Sequence, residues 1–363
     1  MAKRVSVDKW LFTVTLLLVF IGLVMVFSAS AVMAKERFGS PYGFLIRQMA
    51  WAVAGIVFMI VIMNVDYKNF RRPPVVFSFL GITSLLLIVV FLFRDSHNTH
   101  RWIKFAGLSF QPSEVAKPTL ILYLAYFLES RWQEITDVKN VLIPAVAPTL
   151  LFALLIVKEP DLGTALACVA ISTAVLFVAG MNMKYLWYGL AASVLPLYLL
   201  IVRVPWRWAR MQAFIDPFKD PQGKGFHIIQ SMIAVSTGGL TGLGLMEGKQ
   251  KLFYLPEPHT DFIFAVTAEE LGLWGSLLVV GLFGIFLYRG IRTALRTSDM
   301  FGKFLATGIT AMVVVQALFN ISVVLALVPA KGIPLPFISY GGSSLFITLA
   351  SVGVLLNISQ QAE

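Results

Sequence analysis

Ten apolar runs dominate this chain, at about 10–34, 44–65, 75–93, 113–128, 141–157, 162–180, 185–202, 262–288, 304–328 and 340–358. Charged residues or prolines bound each one. A helix needs about 20 apolar residues to cross a bilayer, and several interior runs sit at the short end of that range. Backbone polar groups in lipid must be paired within the segment, and helices do that for long apolar runs. The expected fold is therefore an all-α polytopic membrane protein of about ten transmembrane helices. It reads as one transmembrane domain over 1–363. Charged residues make up only 13% of the chain, against about 25% in a soluble domain, which excludes a soluble enzyme and a disordered chain.

The first run, Trp10–Ala34, is too long for a signal peptide and is read as the first span. Cys168 is the sole cysteine, so no disulfide or cysteine metal cluster is expected. In a soluble chain the net charge of +10 would suggest nucleic acid. Here it suggests basic cytoplasmic loops against anionic lipid. Basic residues favour the side that carries the N-terminus, chiefly through the Lys68–Arg72 and Arg289–Lys303 connections. Both termini are then expected to be cytoplasmic.

By parity the 203–261 connection is a large extracytoplasmic loop between spans seven and eight. Loops of this length are usually functional. Within it, Gly225–Val235 has helical periodicity. Phe226, Ile229, Met232 and Ile233 fall on one side, and His227, Gln230 and Ser231 on the other. That pattern fits a helix lying on the outer membrane surface or a plain packing helix.

The polar features gather on the outer side. They are Arg101-Trp102, Gln111–Glu114, Lys158–Asp161, His259–Asp261 and the Lys331–Ser343 stretch, and all four histidines lie there too. Glu114 and Lys117 are three residues apart in the fourth span, within mutual reach on a helix. They read as a structural ion pair or as a charged element of an intramembrane site. Asp161 follows Pro160 and opens the sixth span, the position of an ordinary helix cap. Asp261 stands where the long loop re-enters the membrane. A carboxylate at an apolar boundary tends towards a raised pKa, which suits a general base, although a cap is equally consistent. Arg101, Lys117, Lys158, Arg203, Arg207, Arg210, Lys249 and Lys251 are candidate partners for a phosphate-bearing headgroup.

Other patterns fail. Gly238–Lys249 ends in Gly-Lys, but Leu243 and Gln250 break the P-loop spacing, and its glycines instead suit tight turns and close backbone approach. His97 and His100 have no third ligand at diagnostic spacing.

QPSEVAK (Gln111–Lys117), KEPDLGTA (Lys158–Ala165), KLFYLPEPHTDFIFAVTAEELG (Lys251–Gly272) and KGIPLPFISYGGSS (Lys331–Ser344) resemble the motifs of the SEDS family. These are the shape, elongation, division and sporulation proteins of bacterial cell-wall synthesis. The likeness covers nearly the whole chain and is closer to the division branch, FtsW, than to the elongation branch, RodA. It implies a peptidoglycan glycosyltransferase that polymerises lipid II at the outer face of the cytoplasmic membrane and releases undecaprenyl pyrophosphate. It places the essential carboxylate on Asp261. The substrate-binding or cavity set becomes Glu114, Lys117, Arg101, Lys158, Asp161, Arg210, His259, Thr260, Ser339 and Ser343. It also implies a class B penicillin-binding transpeptidase and other cell-division proteins as partners, and no nucleic acid. A divalent cation, Mg or Mn, is compatible with the chemistry. The competing readings are a lipid II flippase, a RodA-like elongation polymerase, and a structural scaffold for the transpeptidase.

Overall fold

The computed structural model describes residues 7–93, 100–105, 108–252, 254–329 and 332–362. His97 and Lys331, both used in the sequence reading, lie outside the described residues. Helices form at every one of the ten apolar runs. They are α1 (Lys9–Phe38), α2 (Gly43–Met63), α3 (Pro73–Val89), α4 (Pro112–Glu129), α5 (Ile143–Lys158), α6 (Leu162–Val178) and α7 (Met183–Val202). Then come α8 (Pro205–Ile215) and α9 (Phe226–Gly238) in the long loop, followed by α10 (Ile263–Arg296), α11 (Met300–Val324) and α12 (Gly342–Gln361). A two-stranded antiparallel hairpin, β1 (Ile103–Phe105) and β2 (Leu108–Phe110), precedes α4.

Local chemistry sets many of the helix ends. The carboxylates of Asp8, Asp161 and Asp299 accept first-turn amides of α1, α6 and α11. Proline occupies the first turn of α3, α4 and α8, where its missing N–H costs nothing. Gly39 ends α1 in the left-handed conformation.

Among the described residues, eight helices are long and apolar enough to cross a membrane. The other two runs form the centre. α6 is apolar but has 17 residues, and α4 carries Glu114, Lys117 and Glu129. Both pack against α11, and 13 of the 18 residues of α4 are buried. Charges are tolerated in α4 because protein, rather than lipid, surrounds them. At the other extreme, α7 has no buried residue.

The polar connections sort to two opposite ends. At one end Arg289 donates to Asp8 (2.7 Å), Asn357 accepts from the Tyr67 amide (2.9 Å) and donates to Met63 O (2.7 Å), and Arg71 pairs with Glu129 (2.8 Å). The other end collects the start of α4, the α5–α6 connection, the 254–262 segment and the 332–341 strap. These are the two sets of connections that parity separates.

The long loop differs from expectation in two ways. The helix at 226–238 exists, but its buried stripe is Ile228, Ser231, Ala234 and Gly238, whereas Met232 is exposed. Ser231 turns inward because its hydroxyl donates to Val324 O at the end of α11 (2.8 Å). α9 is thus a packing helix against α10 and α11. Second, α10 is broken at Gly272, whose φ of 66° interrupts the helix. The 239–244 segment repairs the break. Leu243 and Gly244 donate to Glu269 O and Glu270 O, and Leu273 and Trp274 donate to Gly239 O and Leu240 O. A Cβ on Gly242 would collide with Glu270 O, so the glycines do serve close approach.

Candidate active site

Asp261 lies in the last turn before α10 and is only partly exposed. Its main chain is pinned by neighbours distant in sequence. Three consecutive carbonyls each accept one bond: His259 O from Tyr340 N (2.8 Å), Thr260 O from Ser339 Oγ (2.6 Å), and Asp261 O from Asn320 Nδ2 (2.8 Å). The strap that supplies two of them is itself held. Ser339 Oγ accepts from Leu335 N, and Gln48 on α2 bonds Ser339 O and Gly341 N. The strap backbone lies against the Asp261 carboxylate, since a Cβ at Gly332 would fall 2.6 Å from Oδ2.

The charges around this carboxylate are mixed. Burial and the nearby Asp161 push its pKa up to about 6, with Glu257 adding to the rise, while Arg101 and Arg210 pull it down. Arg101 acts electrostatically on both Arg207 and Arg210, and Arg101 and Arg210 act in turn on Asp261, so guanidinium groups from two separate segments gather beside this carboxylate, with Arg207 at the edge of the cluster. Arg101 hydrogen-bonds Glu159 O and Pro160 O, and Arg207 bonds Leu200 O and Val157 O. Each is held through backbone carbonyls, so its positive charge is not cancelled by a carboxylate bond. The guanidiniums of Arg207 and Arg210 also lie over the Trp206 ring at 5.0 and 5.1 Å. A cationic cluster next to a carboxylate with a raised pKa can bind a polyanion and take up a proton.

The remaining sequence-derived residues divide into three groups. Asp161 caps α6, accepting from Thr164 N (3.1 Å) and Thr164 Oγ1 (2.8 Å), and Gln111 Nε2 reaches it at 3.3 Å. It both caps and acts electrostatically on Asp261. His259, Thr260 and Ser339 frame the site. His259 is buried between the rings of Phe44 and Tyr340. Burial, with Arg37 adding to it, lowers its pKa to about 4, so its 3.4 Å approach to Glu257 is no ion pair at neutral pH. Ser343 is buried in the first turn of α12 with its hydroxyl unpartnered.

Glu114 and Lys117 form the second group. They are 2% and 1% exposed, and the ammonium sits 2.9 Å from both carboxylate oxygens. Ser344 Oγ donates to the same carboxylate (2.7 Å). This pair, Asp161 and Glu159 all act on Cys168 of α6, which puts them in one buried neighbourhood. The pair is closed on itself. In the third group, Lys158 is exposed at the end of α5, and Lys251 is turned away from any ligand. Lys251 Nζ is buried 2.6 Å from Glu270 Oε1 and 3.1 Å from Ser28 Oγ.

Sequence reasoning missed Glu159, Glu269, Glu270, Gln48 and Asn320. Glu159 is fully buried, both carboxylate oxygens lack a partner, and burial with Asp161 pushes its pKa up to about 8. It therefore carries its proton at neutral pH. The carboxylates of Glu269 and Glu270 hold the end of the 239–250 segment, accepting from Lys249 N (2.8 Å) and Gln250 N (3.2 Å) and from Met246 N (3.1 Å), and two adjacent glutamates inside the eighth apolar run were the visible signal for them. Among the described residues, no three His, Cys, Asp or Glu side chains converge as a metal site.

Residues 8–363 match the family described as "Cell cycle protein", that of FtsW, RodA and SpoVE. The chain is 42% identical over 361 residues to "Stage V sporulation protein E" of Bacillus subtilis, covering 99% of this chain and 98% of that one. It is 43% identical over 341 residues to "Probable peptidoglycan glycosyltransferase FtsW" of Geobacter metallireducens, covering 93% and 90%. Its fold is similar to a chain of a solved peptidoglycan synthase complex, with TM-score 0.81, 29% identity and 98% of each chain covered. It is also similar to the Thermus thermophilus rod shape determining protein RodA, with TM-score 0.71, 27% identity and 98% of each covered.

Proposed function

We propose a function from one premise: the chain belongs to the FtsW, RodA and SpoVE cell cycle protein family, and it is a multi-pass membrane peptidoglycan glycosyltransferase. Its substrate is lipid II, polymerised into glycan strands. The acceptor sugar hydroxyl attacks the anomeric carbon of the donor. A new glycosidic C–O bond forms with inversion as the bond to pyrophosphate breaks, and undecaprenyl pyrophosphate leaves with the bonding electron pair.

Asp261 accepts the proton of the attacking hydroxyl. The observation that carries this is the carboxylate itself: pinned by its backbone, raised to about 6, and flanked by Arg101 and Arg210. A pKa near 6 leaves it mostly ionised at neutral pH yet basic enough to take a proton. Arg101, Arg207 and Arg210 bind the pyrophosphate and stabilise the charge that develops on it. Asp161 keeps the α6 terminus and the base in register. Glu114 and Lys117 order the core beneath.

The polyprenyl chain lies in an apolar cavity of about 360 Å³ among α2, α3, α4, α11 and α12, lined by Phe58, Phe79, Val115, Pro118, Leu305 and Phe346 among others. Asp261 is the residue that would hold Mg or Mn together with the substrate's pyrophosphate, and the cation would supply charge neutralisation to the leaving group. The reaction face is extracytoplasmic and both termini are cytoplasmic. The two-ended sorting of polar connections supports one functional face, and the basic Lys68–Arg72 and Arg289–Lys303 connections at the other end support its orientation. The partner is a class B penicillin-binding transpeptidase, within the division machinery. The likeness to a synthase complex supports the first, and the FtsW relatives support the second.

The test is polymerisation of labelled lipid II by the purified protein, alone and with the transpeptidase. Asp261→Ala should lower the polymerisation rate by about 10²–10⁴-fold while the protein remains monodisperse. Wild-type rates from that variant would remove Asp261 from the base role.

A further inference from the structure

Asn320 lies at the outer end of α11 and is 1% exposed. Its side-chain NH2 group spends both hydrogens on backbone carbonyls: Asp261 O at 2.8 Å and Ile333 O at 2.8 Å. Its Oδ1 has no partner. This orientation is forced. Turning the amide over would set Oδ1 against two carbonyl oxygens and leave both donors unused. One small side chain therefore joins three segments: α11, the turn that carries Asp261, and the strap whose Gly332 backbone lies against the Asp261 carboxylate. The bonds to His259 O and Thr260 O come from the strap, which is irregular backbone. The bond to Asp261 itself comes from a helix at the packed centre, with 16 of its 25 residues buried.

We propose that Asn320 is a positioning residue of the glycosyl transfer, setting the Asp261 carboxylate against the arginine cluster by tying its carbonyl and the facing strap to α11. This rests on Asp261 acting as the base. A base displaced by about 1 Å loses much of its effect, so the tether acts on the chemical step more than on substrate binding. It also holds Asp261 in its partly buried environment. Without it the turn relaxes outward, the carboxylate gains water, and its pKa falls.

The experiment uses full-length protein reconstituted with its transpeptidase and assayed on labelled lipid II from pH 5 to 8. Rates are normalised to the monodisperse folded fraction. Asn320→Ala and Asn320→Asp are compared with Asn320→Ser, which keeps one donor, and with Asp261→Asn. The expected order of kcat is wild type, then Ser, then Ala, then Asp, with Asn320→Ala at least tenfold down and KM within about threefold. The acid limb of the Asn320→Ala profile should move below the wild-type midpoint. If Asn320→Ala and Asn320→Ser keep wild-type normalised kcat and an unmoved acid limb, the inference fails. It also fails if they lose activity only in proportion to folded protein. Asn320→Ser, with half the tether, decides the matter if the harsher variants do not fold. Should Asp261→Asn polymerise at the wild-type rate, the base assignment fails instead, whatever Asn320 does.

Discussion

The Glu114–Lys117 pair and the cluster around Asp261 are two sets of buried or half-buried charge built on opposite plans. The Glu114–Lys117 pair is complete: one ammonium, one carboxylate, a serine hydroxyl, almost no exposure. The Asp261 cluster is incomplete. Its carboxylate has no matched cation at bonding distance among the described groups, and Arg101 and Arg207 are held through backbone carbonyls while Arg210 lies over the Trp206 ring. A buried pair that satisfies itself has nothing left to offer a ligand, and its worth is structural. Charges held apart by backbone tethers keep their fields directed into the space between them. The difference argues that chemistry belongs to Asp261 and framework to Glu114 and Lys117.

The largest expected effect tests the open cluster. Asp261→Ala should lower the polymerisation rate by about 10²–10⁴-fold with little change in thermal unfolding. With Asp261 as the base, the wild-type rate should be full well above pH 6 and fall as pH drops through about 6, where the carboxylate takes up a proton. An acid limb near pH 4 would place the base in water. Next comes the closed pair. Lys117→Met alone strands a buried carboxylate and should cost about 3–5 kcal/mol of stability, whereas Glu114→Gln with Lys117→Met should recover most of it. A double variant that melts like wild type yet makes no polymer would erase the contrast. A smaller effect is expected at the rim of the cluster. Arg210→Ala should lower kcat/KM by about 10–100-fold, with part of the loss in kcat, because the contact both binds the pyrophosphate and stabilises the charge that develops on it. Lys158→Ala, an exposed side chain outside both sets, should change stability by no more than about 0.5 kcal/mol and the rate by less than about twofold.

The sequence reading succeeded where a signal is local. Each apolar run became a helix because hydropathy and length act within the run. Asp161 was legible as a cap because its partner, Thr164, is three residues away. Asp261 could be singled out from the boundary between loop and apolar run. What escaped depends on partners far along the chain. Asn320 meets Asp261 across 59 residues, Ser28 meets Glu270 across 242, and Gln48 meets Ser339 across 291. No periodicity announces such bonds. The face of α9 was misjudged for the same reason. Ser231 looked solvent-facing until Val324 O supplied an acceptor 93 residues on. The arginine cluster was half visible. Its members were all candidates, but so were Lys158 and Lys251, and only the fold separates a lysine bound to Glu270 from a guanidinium beside Asp261.

The break in α10 at Gly272 bears on how freely the long loop can vary. Residues 239–244 provide four of the backbone hydrogen bonds that an unbroken helix would have made for itself, so this stretch is part of a span although it is written as a loop. Lengthening it by one residue would shift the register and strip those amides and carbonyls of partners where water is scarce. The exposed 218–224 segment carries no such duty. A short peptide tag or a protease site should be accepted at 218–224 with growth and polymerisation intact, whereas the same insertion at 240–243 should leave no assembled protein in the membrane. The tolerance of this loop to new sequence is thus set by which carbonyls it completes, and α9 separates its permissive part from its forbidden one.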